Sequence, residues 1–337
     1  MAEITLQKRP GEAAAVRTRR RIKALARGWG APLALVLLLA FNVLFTPNFL
    51  TWQTFFVNLT QVATIVIVAT GMTLVIATGG IDLSVGSLMA IAGALAPLIL
   101  SGALTGPLDP GLAVALAFVL PVLAAGLFGL FNGVLVTRFA IQPIVATLVL
   151  FIAGRGIAQV MTNGNLQTFS NPSFQWIGLG RILGLPVQAV LMVAIVALAA
   201  WILRRTVFGR HVLATGGNEP AARLAGVPVT GVKLAVYAIS GLLSGLAGLV
   251  VIAINSSSDA NLIGLGMELD AIAAVAVGGT LLTGGRASVV GTLLGALIIQ
   301  LLRYTLLANG VPDAAALVVK AAAILLAVWI QRQGEGR

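Results

Sequence analysis

The sequence has no cysteine and a single histidine, and only 9% of its 337 residues are charged. Without cysteine there is neither a disulfide framework nor thiolate chemistry. One histidine, His211, excludes an H-E-x-x-H helix and any His-rich metal cluster. None of the four lysines, Lys8, Lys23, Lys233 and Lys320, follows a glycine. The G-x-x-x-x-G-K-[ST] loop that cradles nucleotide phosphates is therefore missing, and with it that type of ATP site. No serine stands in G-x-S-x-G, so a serine hydrolase has no visible nucleophile. These absences leave no catalytic residue, no metal ligand set and no cofactor site to nominate. The shortage of charge excludes more: soluble domains carry about 25% charged residues, so this chain lacks the polar surface to face water all round.

Apolar side chains are what it has, at 59% of the sequence. They form near-continuous runs around residues 31–47, 55–78, 84–101, 111–137, 140–162, 187–203, 233–254, 269–282, 288–308 and 314–331. Lipid offers no partner to a free backbone N–H or C=O, so only helices or closed barrels span it. Barrel strands alternate polar and apolar residues; these runs do not. The expected fold is an all-α polytopic membrane protein of about ten transmembrane helices, since about twenty residues cross a bilayer. The eighth run is short and ends in Gly278-Gly279, which suggests an early break.

The net charge of +11 could signal nucleic acid, but its placement argues for the membrane. Eight basic residues, from Lys8 to Arg27, precede the first apolar run, where they set topology and attract anionic lipid. That run is too long for a signal peptide and has no A-x-A-like site after it. With both ends inside, 17 of the 21 basic residues lie in cytoplasmic segments and Arg181 alone lies outside. The expected organisation is a basic tail over 1–30, a transmembrane domain over 31–331 and a cytoplasmic end over 332–337. Two outside segments are long, 163–186 and 255–268. The longest internal cytoplasmic loop is 204–232.

Several positions bear on function. Asp82 follows Gly79-Gly80 and precedes Ser84; it either caps the next helix through free N–H groups or lies on a polar path, since a charge at membrane depth is costly. Asn58, Gln61, Asn132, Gln142, Arg155, Gln159, Gln300, Arg303 and Lys320 are polar positions within apolar runs. Each is either interhelical glue or lining of a wet passage for a polyhydroxylated solute. Residues 77–95 and 276–297 echo each other, as an internal repeat or as a chance recurrence of glycine-rich turns. Ser240-Gly241, Ser244-Gly245 and Gly248 make a small-residue face for close helix packing. In the loop, Asn218 before Glu219-Pro220 marks a helix start, and the short helix should end near Gly226. Such a helix is either a docking knob for a soluble partner or a plain connector.

The strings GMTLVIATGGIDLSVGSLMAIAGA (71–94), FNGVLVTRFAIQPIVATL (131–148), GRGIAQVMTNG (154–164), ATGGNEPAARLAGV (214–227) and ELDAIAAVAVGGTLLTGG (268–285) resemble permease subunits of ribose-type ABC sugar importers. The likeness covers roughly residues 50–330, and GRGIAQVMTNG with ELDAIAAV looks most like the galactofuranose branch. The resemblance implies a bundle similar to the vitamin B12 permease class of importer in the bacterial inner membrane. It also implies three partners: a cytoplasmic ATPase with two nucleotide-binding domains, a periplasmic sugar-binding protein and a second permease copy. Gly216, Glu219, Ala222, Arg223 and Gly226 fall in the segment that docks the ATPase in that class. Asp82, Asn58, Gln61, Asn132, Arg155 and Gln159 become candidates for the translocation path. The competing readings are a branched-chain amino-acid permease of the same class and an ion-coupled secondary transporter, for which Asp82 is the available titratable carrier.

Overall fold

The computed structural model describes residues 30–312, 314–322 and 325. The expected basic tail (all but Gly30), the C-terminal segment 332–337 and the end of the tenth apolar run lie outside the described residues. Among the described residues each apolar run holds a helix, as expected. In chain order the helices are α1 (Gly30–Phe45), α2 (Trp52–Ala77), α3 (Val85–Leu100), α4 (Pro110–Thr137), α5 (Pro143–Met161), α6 (Pro172–Leu179), α7 (Val187–Arg205), α8 (Val207–Gly217), α9 (Glu219–Leu224), α10 (Val229–Asn255), α11 (Met267–Val277) and α12 (Val289–Ala308). A further helical stretch, α13, covers 314–322.

Six of these, α2, α4, α5, α7, α10 and α12, are long and apolar enough to cross a membrane, while α1 and α3 are shorter. The chain is thus polytopic. Helix α11 has 11 residues, about 16 Å at 1.5 Å per residue, roughly half a hydrocarbon core of about 30 Å. The sequence signal for an early break at Gly278 matches that shortness. Helix α8 and helix α6 lie in segments read from the sequence as loops. Two small antiparallel ribbons add to them: β1 (Gln167–Thr168) pairs with β4 (Ser257–Ser258), and β2 (Arg181–Ile182) with β3 (Leu185–Pro186).

Helix α2 is the axis of the bundle, buried without interruption from Val62 to Ala77. The small-residue face of α10 packs within the chain, on α4 and α3. A Cβ on Gly241 would stand 2.3 Å from the Ala125 carbonyl oxygen, and one on Gly248 2.6 Å from that of Met89. Only glycine permits that approach, which trades side-chain volume for backbone contact. Large apolar side chains such as Leu127, Ile152, Val160 and Leu198 face outward, as lipid-facing positions should.

The two echoing strings close in the same way. After α2, Gly80 N–H bonds the Val75 carbonyl at 3.2 Å with Gly79 left-handed at φ +81°. After α11, Thr280 N–H bonds the Val275 carbonyl at 3.2 Å with Gly279 at φ +82°. Both are Schellman closures, and glycine takes the left-handed position at no steric cost. Each break then offers a side-chain oxygen to the N–H of the next helix's N-cap serine: Asp82 to Ser84 and Thr280 to Ser288, both at 3.0 Å. The repeat is therefore one of hydrogen bonding as well as of letters, and a neutral threonine replaces the aspartate in its second half.

Candidate functional site

One end of the bundle carries α8 and α9. Thr206 opens α8, its hydroxyl accepting from Gly209 N–H at 3.1 Å, and Asn218 caps α9 by accepting from Ala221 N–H at 3.0 Å. Pro220 fits the first turn of α9, where no N–H is missed. Glu219 accepts from Arg223 one turn on, at 2.8 Å, and from Lys233 at the start of α10, at 2.6 Å. Burial works against ionisation of Glu219, but the hydrogen bonds from Lys233 and Arg223 outweigh it and hold the carboxyl below its ordinary range. Ala222 faces inward, Gly226 turns the chain at φ +82°, and Leu224 is 92% exposed. The helix start and cap follow the sequence signals; the cross-link to Lys233, fourteen residues away, had none.

Helix α8 ends in a junction of bare backbone. A Cβ on Gly216 would lie 1.9 Å from the Ala77 carbonyl oxygen and 2.6 Å from Gly285 N. Gly285 N–H in turn bonds that same Ala77 oxygen at 3.0 Å. The last turn of α8, the end of α2 and the break after α11 thus meet at one point, with no side chain between them. Both halves of the repeat converge on the segment that holds α9.

The six polar candidates fall into three separate groups. Asp82 is wholly buried and accepts from Ser84 N–H (3.0 Å), Ser84 Oγ (2.6 Å) and Ser240 Oγ (2.8 Å), while Asn132 Nδ2 donates to Ser84 Oγ at 2.8 Å. This network ties the α2–α3 break to α4 and α10. Asn58 and Gln61 of α2 meet Gln300 of α12, whose amide donates to Gln61 at 2.6 Å and lies 3.4 Å from Asn58. Asn58 and Gln300 border a cavity of about 450 Å³ whose other lining is mostly leucine and aromatic, a poor surface for a sugar.

Arg155 and Gln159 form the third group, on α5. Arg155 Nη1 donates to the carbonyls of Ala260 (2.8 Å) and Ile263 (2.5 Å), and Gln159 Nε2 donates to Asn261 Oδ1 at 2.8 Å. Here the structure departs from the expectation of a long outside loop over 255–268. Ser258, Ala260, Ile263 and Glu268 are all buried. The Ser258 hydroxyl and Ile263 lie beside Gly93 of α3, and the Gly264 carbonyl lies beside Gly86, where a Cβ would be 2.2 Å from it. Gly93 to Gly86 is two turns of helix, so the chain re-enters the bundle by about 10 Å before α11 begins. Glycines at 264 and 266, both left-handed, were the only sequence trace of this descent.

A family profile described as the permease component of branched-chain amino acid transport systems matches residues 55–328. The ribose import permease protein RbsC of Escherichia coli (strain K12) is 44% identical over 306 residues, covering 89% of this chain and 92% of the relative. The galactofuranose transporter permease protein YtfT of the same organism is 40% identical over 311 residues, covering 89% and 88%. The fructose import permease protein FruF of Bifidobacterium longum (strain NCC 2705) is 42% identical over 258 residues, covering 75% and 70%. No solved structure matches the chain.

Proposed function

The chain belongs to the family of branched-chain amino acid transport system permease components, and on that premise we propose that it is the membrane permease subunit of an ATP-driven importer of a monosaccharide. The names of its relatives, ribose, galactofuranose and fructose permeases, support sugar over amino acid as cargo. It is a multi-pass inner-membrane protein that breaks no covalent bond. Energy comes from a cytoplasmic ATPase with two nucleotide-binding domains, and sugar from a periplasmic binding protein. Two permease copies enclose the path. Ten spans with both ends in the cytoplasm complete the reading; helix in every apolar run and the one-sided placement of basic residues support it.

The observation that carries the mechanism is the junction at Gly216. Leu224, 92% exposed at the end of α9, is an apolar anchor for the ATPase, and Glu219 fixes α9 to α10 through Lys233. A push on α9 reaches α8, and from Gly216 it reaches the end of α2 and the break after α11 by backbone contact. Packed backbone has no soft side chain to absorb displacement, so one input moves two breaks in the bundle. Arg155 and Gln159 are our candidates for the path; Asp82 with Asn132, and Asn58 with Gln61, serve as locks between helices.

ATP-dependent uptake in vesicles that contain permease and ATPase, with the cognate binding protein added, tests this directly. D-ribose, D-galactose, galactofuranose and D-fructose are compared against L-leucine. Accumulation of one or more sugars, dependent on ATP and on binding protein, is the expected result. Leucine uptake alone, or uptake driven by an ion gradient without ATP, would overturn it.

A further inference from the structure

Unwound backbone is tolerated at membrane depth only where protein covers it or it lines a polar cavity. Residues 256–266 are such a stretch, from the left-handed Ser256 to the left-handed Gly266. Its descent along α3 places the first turn of α11 deep in the bundle. That turn holds Glu268, which is 6% exposed and whose Oε2 has no hydrogen-bond partner. A Cβ on Gly86 would lie 2.7 Å from that oxygen, so the carboxylate presses on the bare backbone of α3.

A buried acceptor left without a donor is costly, and more so when charged. Glu268 is thus a group in want of a donor. Across from it stands Arg155, whose charge interacts with those of Glu268 and Asp259. Among the described residues only its Nη1 is engaged, and by two carbonyls of the re-entrant segment. Nε and Nη2 keep their donor capacity. Arg155 is half-buried, so its guanidinium is not sealed in the core.

We propose that Arg155 and Glu268 form a hydroxyl-binding subsite for the transported polyol deep in the bundle, closed by the re-entrant segment 256–266. Arg155 donates to hydroxyl oxygens of the solute, and Glu268 Oε2 accepts from a neighbouring hydroxyl. The segment is the lid of this subsite, because the arginine that meets the solute is the one that holds Ala260 and Ile263 in place. Solute on Nε and Nη2 shares the guanidinium with the two carbonyls on Nη1, so occupancy changes the hold on the segment that covers Glu268. The inference deepens the importer reading and rests on it.

The test uses the complete permease–ATPase complex in vesicles. Glu268→Gln keeps the shape and removes the charge. Uptake of the transported sugar should fall at least tenfold while the unfolding temperature stays at or above that of the unsubstituted protein, since no native donor is lost. Arg155→Lys should impair uptake similarly, as an ammonium cannot serve two carbonyls and a solute in one plane. Uptake by Glu268→Gln within twofold of the parent would overturn the proposal, as would lost uptake accompanied by a lower unfolding temperature. A second readout needs no transport: D-ribose, D-galactose and D-fructose at high millimolar concentration are added to the unsubstituted complex, and hydrogen exchange over 256–268 is followed. At least one sugar should change it in the parent and none in Glu268→Gln; no change with any sugar would overturn the subsite. If the unsubstituted complex moves no sugar with ATP but one of them alters exchange here, the importer reading fails and the subsite stands.

Discussion

Glu219 holds two cations from two helices, Arg223 of its own and Lys233 of α10. Reversing its charge sets three cations against one another at the root of α9. Glu219→Arg should abolish sugar uptake and the co-purification of the ATPase, with membrane insertion unchanged; normal uptake would remove α9 from the mechanism. The same pair sets a pH window. A carboxyl held below its ordinary value contributes stability present above the unfolded value of about 4.3 and lost as pH falls through the folded one. ATPase docking should therefore be flat from pH 6 to 8 and weaken only in acid, as co-purification carried from pH 8 down through the ordinary carboxylate range can check. Asp82 makes the opposite case, that of a residue locked in place. Three donors converge on it, and Asp82→Ala would strand Ser240 and the Ser84–Asn132 pair. A hydrogen bond to a charged group is worth about 1.5–3 kcal/mol, so thermal unfolding of the purified protein should drop by several degrees. An unchanged unfolding temperature with pH-shifted uptake would instead make Asp82 a proton carrier.

Among elements, the junction of α8 with α2 and the α11 break is the most exacting contact. Gly216→Ala puts a methyl group where the Ala77 carbonyl oxygen stands, 1.9 Å from the Cβ position. The backbones must part, because no flexible side chain is there to give way. Uptake should fall at least tenfold while the ATPase still binds and hydrolyses ATP, which paired assays of uptake and phosphate release would detect. Unimpaired uptake would mean that motion does not pass through this point. Nothing in the string ATGG announces such a junction, because a glycine needed for close approach is written with the same letter as one needed for a turn. What the sequence did disclose rests on local rules. Apolar runs of about twenty residues gave the helices, and Asn218-Glu219-Pro220 gave the cap of α9. The re-entry of 256–266 escaped notice because Ser, Asn and Gly look alike in a surface loop and in a buried segment clamped by a distant arginine. For the same reason Arg155 could be suspected and Glu268 could not: one lies inside an apolar run, the other at the edge of one.

For the whole molecule, function and topology stand or fall together. The importer reading needs α8 and α9 on the ATP side and residues 163–186 on the side of the binding protein. Those segments cap opposite ends of α7, so one orientation fixes both. The absence of cysteine makes this measurable without background, since every thiol in a variant is the one introduced. Leu183, at the tip of the β2–β3 ribbon, is 99% exposed, and Leu224, at the end of α9, is 92% exposed; neither supports a core, so each tolerates replacement. In intact cells, Leu183→Cys should react with a membrane-impermeant maleimide. Leu224→Cys should react only after the membrane is opened, and more slowly when the ATPase is bound than when it is absent. The reverse labelling pattern would put the Gly216 junction on the side without ATP. No rearrangement of side chains could then rescue the coupling scheme, because the same backbone contacts that carry the push would face away from its source.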